Sequence, residues 1–207
     1  MTVLEGEGRV PILYGIQALP APPYPSVYLS RPDLDGRFPA VIVVHGGAGI
    51  TSSAKSACRR LARHGYVAVA GDPEVQDAAA VALAEDWGEW TTGRLAVLGT
   101  GDGMASAQAL AVRQGAGLIL LGGSGTVDRS GLGDGIGPIL GLLAGDPEDV
   151  RSLHEAAGRG QWVRYGGAGP GFHDEGAGDF KAVAAEDAYE RIVSFLDRHL
   201  QSRAAVG

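Results

Sequence analysis

The sequence predicts an α/β protein with a doubly wound, mostly parallel sheet. Short apolar runs rich in β-branched residues alternate with Ala/Leu-rich helical stretches, and glycines punctuate the changes between them. The first thirty residues are poor in periodicity, with prolines at 20, 22, 23 and 25, so no element is predicted ahead of a short strand at Ser26–Arg31. Arg31-Pro-Asp-Leu-Asp-Gly36 closes that strand as a turn. Pro39–His45 is a continuous apolar run, as expected of a strand covered on both faces of a parallel sheet. After Gly46-Gly-Ala-Gly49, Thr51 offers a capping hydroxyl to a helix running to about Arg63. Further strands are predicted at Tyr66–Ala70, Arg94–Gly99, Leu118–Leu121, Ile139–Leu143 and Trp162–Tyr165. Helices are predicted at about 75–90, from 103 to Arg113, and at about 181–201. The last carries Val183, Ala184, Tyr189, Ile192, Val193, Phe195, Leu196 and Leu200 as its apolar stripe. With no internal repeat and no long linker, residues 1–207 are expected to form one domain.

Composition narrows the function classes. The 34 glycines among 207 residues are more than twice the usual share of roughly 7% and imply many tight turns and close backbone approaches. The formal charge of -7 and the lack of a basic stripe argue against nucleic acid or an anionic membrane as partner. Apolar runs such as Val41–Val44 and Leu118–Leu121 are too short to span a bilayer, and the opening residues have neither a basic nor an apolar leader segment. A soluble, cytoplasmic protein with a small-molecule substrate is expected. Cys58, the single cysteine, lies at helical spacing among apolar neighbours and is read as a small core residue.

The order of these elements resembles the dienelactone hydrolase family of α/β-hydrolases. Phe38-Pro-Ala-Val-Ile-Val-Val-His45 and Leu61-Ala-Arg-His-Gly-Tyr-Val-Ala-Val-Ala-Gly-Asp72-Pro are similar to the family's opening. The glycine-rich turn after Leu98 falls where the family places its nucleophile. Pro138-Ile-Leu-Gly-Leu resembles the strand before the acidic triad member, and Tyr165-Gly-Gly-Ala-Gly-Pro-Gly-Phe172 the closing histidine motif. The resemblance runs from about Tyr28 to Leu200 and implies an α/β-hydrolase fold without a large cap domain.

At two positions the sequence departs from that pattern. The family's elbow reads Gly-x-Cys/Ser-x-Gly, whereas here it is Gly99-Thr-Gly101-Asp102-Gly103, with Gly101 at the nucleophile position. Glycine has no side chain with which to form an acyl-enzyme. Pro170 stands where the closing motif supplies histidine, and proline moves no proton. For the acidic member the resemblance implies Asp146 as the candidate, with Asp149 as the alternative. Ordinary Ser-His-Asp chemistry is therefore not expected.

What the resemblance leaves is backbone. The amides of Asp102 and of the loop near Gly47, beside Gly46, correspond to the family's oxyanion hole, and glycines there equally serve sharp turns. Asp102 reads as a helix-start acid, as a general acid/base tuned by burial, or as a nucleophile on a shifted elbow. His173, three places beyond Pro170, is a candidate base, with Asp174 or Glu175 to orient it. His45 is a second candidate or a structural hydrogen-bonding residue. Gly101 and Pro170 would line the pocket itself. No His/Cys/Asp cluster has metal-ligand spacing, and the glycine-rich segments match nucleotide loops poorly, so no metal or cofactor is expected. Two functions fit. One is a cofactor-independent cyclase, isomerase or lyase acting on a small carbonyl-bearing molecule; the other is an inactive ligand- or partner-binding protein.

Overall fold

The computed structural model describes residues 10–201 except 21, 23, 48, 86, 124–126, 133, 134 and 159. Eight strands form one sheet, ordered β1-β2-β4-β3-β5-β6-β7-β8. They are β1 Ile12–Ala18, β2 Ser26–Pro32, β3 Phe38–His45, β4 Val67–Ala70, β5 Thr91–Thr100, β6 Gly117–Gly123, β7 Ile139–Ala144 and β8 Gln161–Arg164. β1, β2 and β4 pair antiparallel, and every other pairing is parallel. Among the described residues, four α-helices lie between strands, α1 Ser52–Arg63, α2 Gln76–Ala84, α3 Met104–Gln114 and α4 Pro147–Ala157, and a fifth, α5 Ala182–His199, follows β8. Parallel neighbours need a crossover, and a helix on the sheet's face is the compact way to make one.

The central strands are apolar along their whole length because both faces are covered. Val41 and Val43 point with Ala54, Cys58, Leu61, Ile192 and Phe195 into a core under α1 and α5. Ala40, Ile42 and Val44 point the other way, with Ala79, Leu110 and Leu153, into a core under α2, α3 and α4. Period-two alternation thus feeds two cores from one strand. Cys58 is fully buried, as its spacing predicts.

Three differences from the sequence reading have plain causes. β1 forms from a segment without apolar periodicity, because pairing with β2 along its length supplies the order that its own pattern lacks. The helix expected at 75–90 stops at Ala84, and residues 87–90 turn instead, with Trp87 and Trp90 stacked at 6.1 Å. In α5 the inward stripe is Ala185, Ala188, Tyr189, Ile192, Phe195 and Leu196, while Val183 is 86% exposed in the first turn, ahead of the contact with the sheet. Among the described residues no helix is long and apolar enough to cross a membrane.

Candidate active site

The carboxyl ends of β3, β5 and β6 bring the elbow and its neighbours together. β5 ends at Thr100, beside His45 at the end of β3 and Leu121 in β6. The chain then makes one 3-10 turn, Gly101–Gly103, and enters α3. Gly101 has φ +52°, a left-handed conformation that glycine takes without strain, and a side chain there would meet nothing within 4 Å. The sharp strand-to-helix turn is present, and the space in front of it is open.

Two glycines make this corner possible. A methyl group on Gly46 would lie 2.5 Å from Asp102 Cβ, and one on Gly103 would lie 2.6 Å from the carbonyl carbon of His45. The β3 loop and the elbow are thus in backbone contact, which no larger residue permits. Gly47 (φ +85°) follows at the rim, where a side chain would again meet nothing. Gly49 donates its amide to the Asp72 carboxylate at 2.8 Å, tying the β3 loop to the end of β4.

His45 is 3% exposed, and its Nδ1 lies 3.1 Å from the Gly46 carbonyl oxygen. A carbonyl only accepts, so Nδ1 carries the proton and Nε2 is the basic nitrogen. That Nε2 is buried, and no described residue hydrogen-bonds to it. A buried ring nitrogen without a partner is an unsatisfied acceptor.

The closing loop approaches from the other side. A side chain on Gly122 would meet the Gly101 amide and the Pro170 carbonyl oxygen, both at 3.3 Å. Gly101 and Pro170 therefore face one another across the end of β6. The loop is held by Asp179, which sequence reasoning missed. Its carboxylate accepts the Gly171 amide at 2.9 Å and fills the space beside the bare Cα atoms of Gly169 and Gly171. Phe172, fully buried, stacks on Tyr165 at 4.7 Å, and Tyr165 donates to Asp187 on α5.

His173 points elsewhere. It helps line a cavity of about 330 Å³ with Ser52, Ser53 and Arg59 of α1 and with Phe180 and Tyr189. Burial pushes its imidazole below the ordinary 6.5, although Asp174 and Asp179 pull the other way, and its Nδ1 is buried without a partner among the described residues. Asp146 is exposed at the start of α4, two residues beyond Ala144, which pairs with Gly123. It follows β7, two strands over from the elbow's β5, and its carboxylate makes no cap hydrogen bond. Asp102 is also exposed, which removes the burial that its acid/base reading relied on. Its remaining roles are an acid in the first turn of the elbow helix and the owner of a backbone amide. Among the described residues no His/Cys/Asp/Glu group is arranged to hold a metal.

Comparison with known proteins follows this geometry. The model of the dienelactone hydrolase family matches residues 26–76, from β2 to the start of α2. A provisionally assigned carboxymethylenebutenolidase of Methylorubrum extorquens is 27% identical over 246 aligned positions, covering 95% of this chain and 82% of that protein. Among solved structures, a provisionally assigned dienelactone hydrolase of Klebsiella pneumoniae superposes with a TM-score of 0.73 at 21% identity, over 91% of this chain and 99% of the other. A thermostable esterase of Pseudomonas putida does so with a TM-score of 0.70 at 19% identity, over 98% and 86%. The relatives are named for hydrolysis, and the shared architecture is a mostly parallel sheet with helices on both faces. The chain therefore has the α/β-hydrolase fold in its dienelactone-hydrolase-like form.

Proposed function

We propose that this protein is a divergent dienelactone-hydrolase-like enzyme that works without a covalent intermediate, isomerising, cyclising or cleaving a small carbonyl-bearing molecule. The observation that carries this reading is Gly101: the elbow keeps its left-handed turn and the room in front of it, but no atom there can attack. In its isomerase form the chemistry balances as a proton transfer. A proton leaves the carbon next to the substrate carbonyl, the electron pair moves onto oxygen, and the proton returns at a different atom. The backbone amides of Gly47 and Asp102 hold the oxyanion, and preorganised donors of this kind typically account for a hundred- to thousand-fold in rate. His45 is favoured over Asp102 as the base, since it is buried beside the elbow, its Nδ1 is engaged by the Gly46 carbonyl and its Nε2 lacks a partner. His173 lines the neighbouring cavity, and Asp146 is exposed at the end of β7, two strands from the elbow's β5.

A second reading, an inactive ligand-binding protein, is favoured by Pro170 in the closing motif, which leaves the position without a base. Turnover distinguishes the two. With a substrate found by screening small lactones and ketones, His45→Gln is expected to lower kcat by a hundred-fold or more and leave binding nearly intact. Compounds that raise the melting temperature but are never converted favour the binding reading. Hydrolysis of activated esters by the unaltered protein, lost on mutation at this corner, overturns the proposal.

A further inference from the structure

Eight large hydrophobic side chains are exposed among the described residues, and five of them, Leu13, Tyr14, Ile16, Tyr24 and Leu34, lie on or beside the β1–β2 hairpin. β1 is a terminal strand of the sheet, and among the described residues nothing pairs with its outer edge. Edge strands are normally blunted by charge, proline or brevity. The opposite edge follows that rule: β8 has four residues and ends on Arg164. β1 does not. Its seven residues, Ile12–Ala18, carry no charge and no proline.

We propose that this edge pairs with a second copy of the chain, strand β1 against strand β1, antiparallel about a two-fold axis at Gly15. That register makes one continuous sheet of two copies and sets Ile12 opposite Ala18, Leu13 opposite Gln17, and Tyr14 opposite Ile16. The Tyr14–Ile16 pair occurs twice by symmetry and is an aromatic against a β-branched side chain, among the favourable cross-strand combinations. Gly15 meets itself on the axis, where a side chain would find nothing within 4 Å. Nothing in β1 repels its own copy. Tyr14 is also braced from within, 5.7 Å under the Arg59 guanidinium and 6.3 Å from Tyr28, so little order is lost on pairing.

The area is sufficient for a reversible dimer. Leu13, Tyr14 and Ile16 are 44%, 54% and 59% exposed. Each would cover on the order of 100 Å². The axis also brings Leu34 of one copy to the end where the second copy's Tyr24 lies. With the strand backbone, the two-copy total is roughly 1,000 Å², about the threshold of a specific interface.

The test is sedimentation equilibrium of the full chain over a range of concentration, with two variants. The unaltered protein is expected to move to twice the monomer mass as concentration rises, and Ile16→Lys to stay monomeric with an unchanged circular dichroism spectrum. Gly15→Cys is expected to form a disulfide-linked dimer on mild oxidation, while Gln17→Cys, whose partner is Leu13, forms far less. Cys58 does not compete, because it is fully buried and burial raises its thiol pKa. A protein that is monomeric throughout overturns the proposal, as does a dimer that survives Ile16→Lys and gives no cross-link at residue 15. A chain that dimerises only after residues 1–9 are removed also overturns it, assigning the edge to its own leading segment. None of these outcomes depends on the catalytic reading.

Discussion

His173 is half-buried behind Phe172, edge-on to its ring at 5.6 Å, in the loop that Asp179 fastens. Burial holds its imidazole below the ordinary 6.5, so the unfolded chain binds its proton more readily than the folded one. Its contribution to stability is therefore complete above 6.5 and is lost as pH falls from there through the lowered folded value. His199, pushed the same way by burial and by Arg198, adds to the slope in that window. Urea denaturation at a series of pH values is expected to show a shallower acid decline in His173→Asn than in the unaltered protein. An identical slope would mean that the ring is solvated in the folded state. At the elbow, Gly103 is constrained by backbone and not by a flexible side chain, so Gly103→Ala must displace either β3 or α3. It is expected to unfold well before the parent on heating, and equal melting temperatures would contradict the backbone contact.

Among the elements, α1 shows its sequence signal most directly. Thr51 has extended backbone (φ -68°, ψ 160°), and its hydroxyl accepts the Ala54 amide at 3.1 Å. Arg60 and Arg63 occupy the last turn, where cations suit the helix dipole. Thr51→Ala is expected to cost about 1 kcal/mol, the usual price of losing such a cap. A chemical denaturation midpoint unchanged in that variant would show the cap to be redundant. α4 makes the opposite case: its helix starts with Pro147 at the first position, a favourable start, yet its apolar stripe is only Val150 and Leu153, too little to stand out as a period.

On the scale of the whole molecule, the closing loop is the keystone between the sheet and α5. Phe172 joins the Tyr165 ring to the core under α1 and α5, and Tyr165 reaches Asp187 through its hydroxyl. Phe172→Ala is expected to destabilise the protein by about 3–5 kcal/mol in a denaturation curve, by lost burial and the cavity left behind. A loss below about 1 kcal/mol would mean that the loop is not part of the cooperative unit.

The strands from β2 onward, the helices other than α4 and the positions of the glycine turns were legible in the sequence, because each follows from the local fit between side-chain periodicity and solvent. The identities of Gly101 and Pro170 were also in the sequence, but their approach to one another across the end of β6 was not. Other features needed the third dimension. The pairing of β1 with β2, the apposition of Gly46 and Gly103 on their neighbours' backbones, the seating of Asp179 on the closing loop and the lone Nε2 of His45 all join residues from separate segments. Their energies come from packing and desolvation between parts of the chain that carry no local trace of one another, so only the folded molecule decides them.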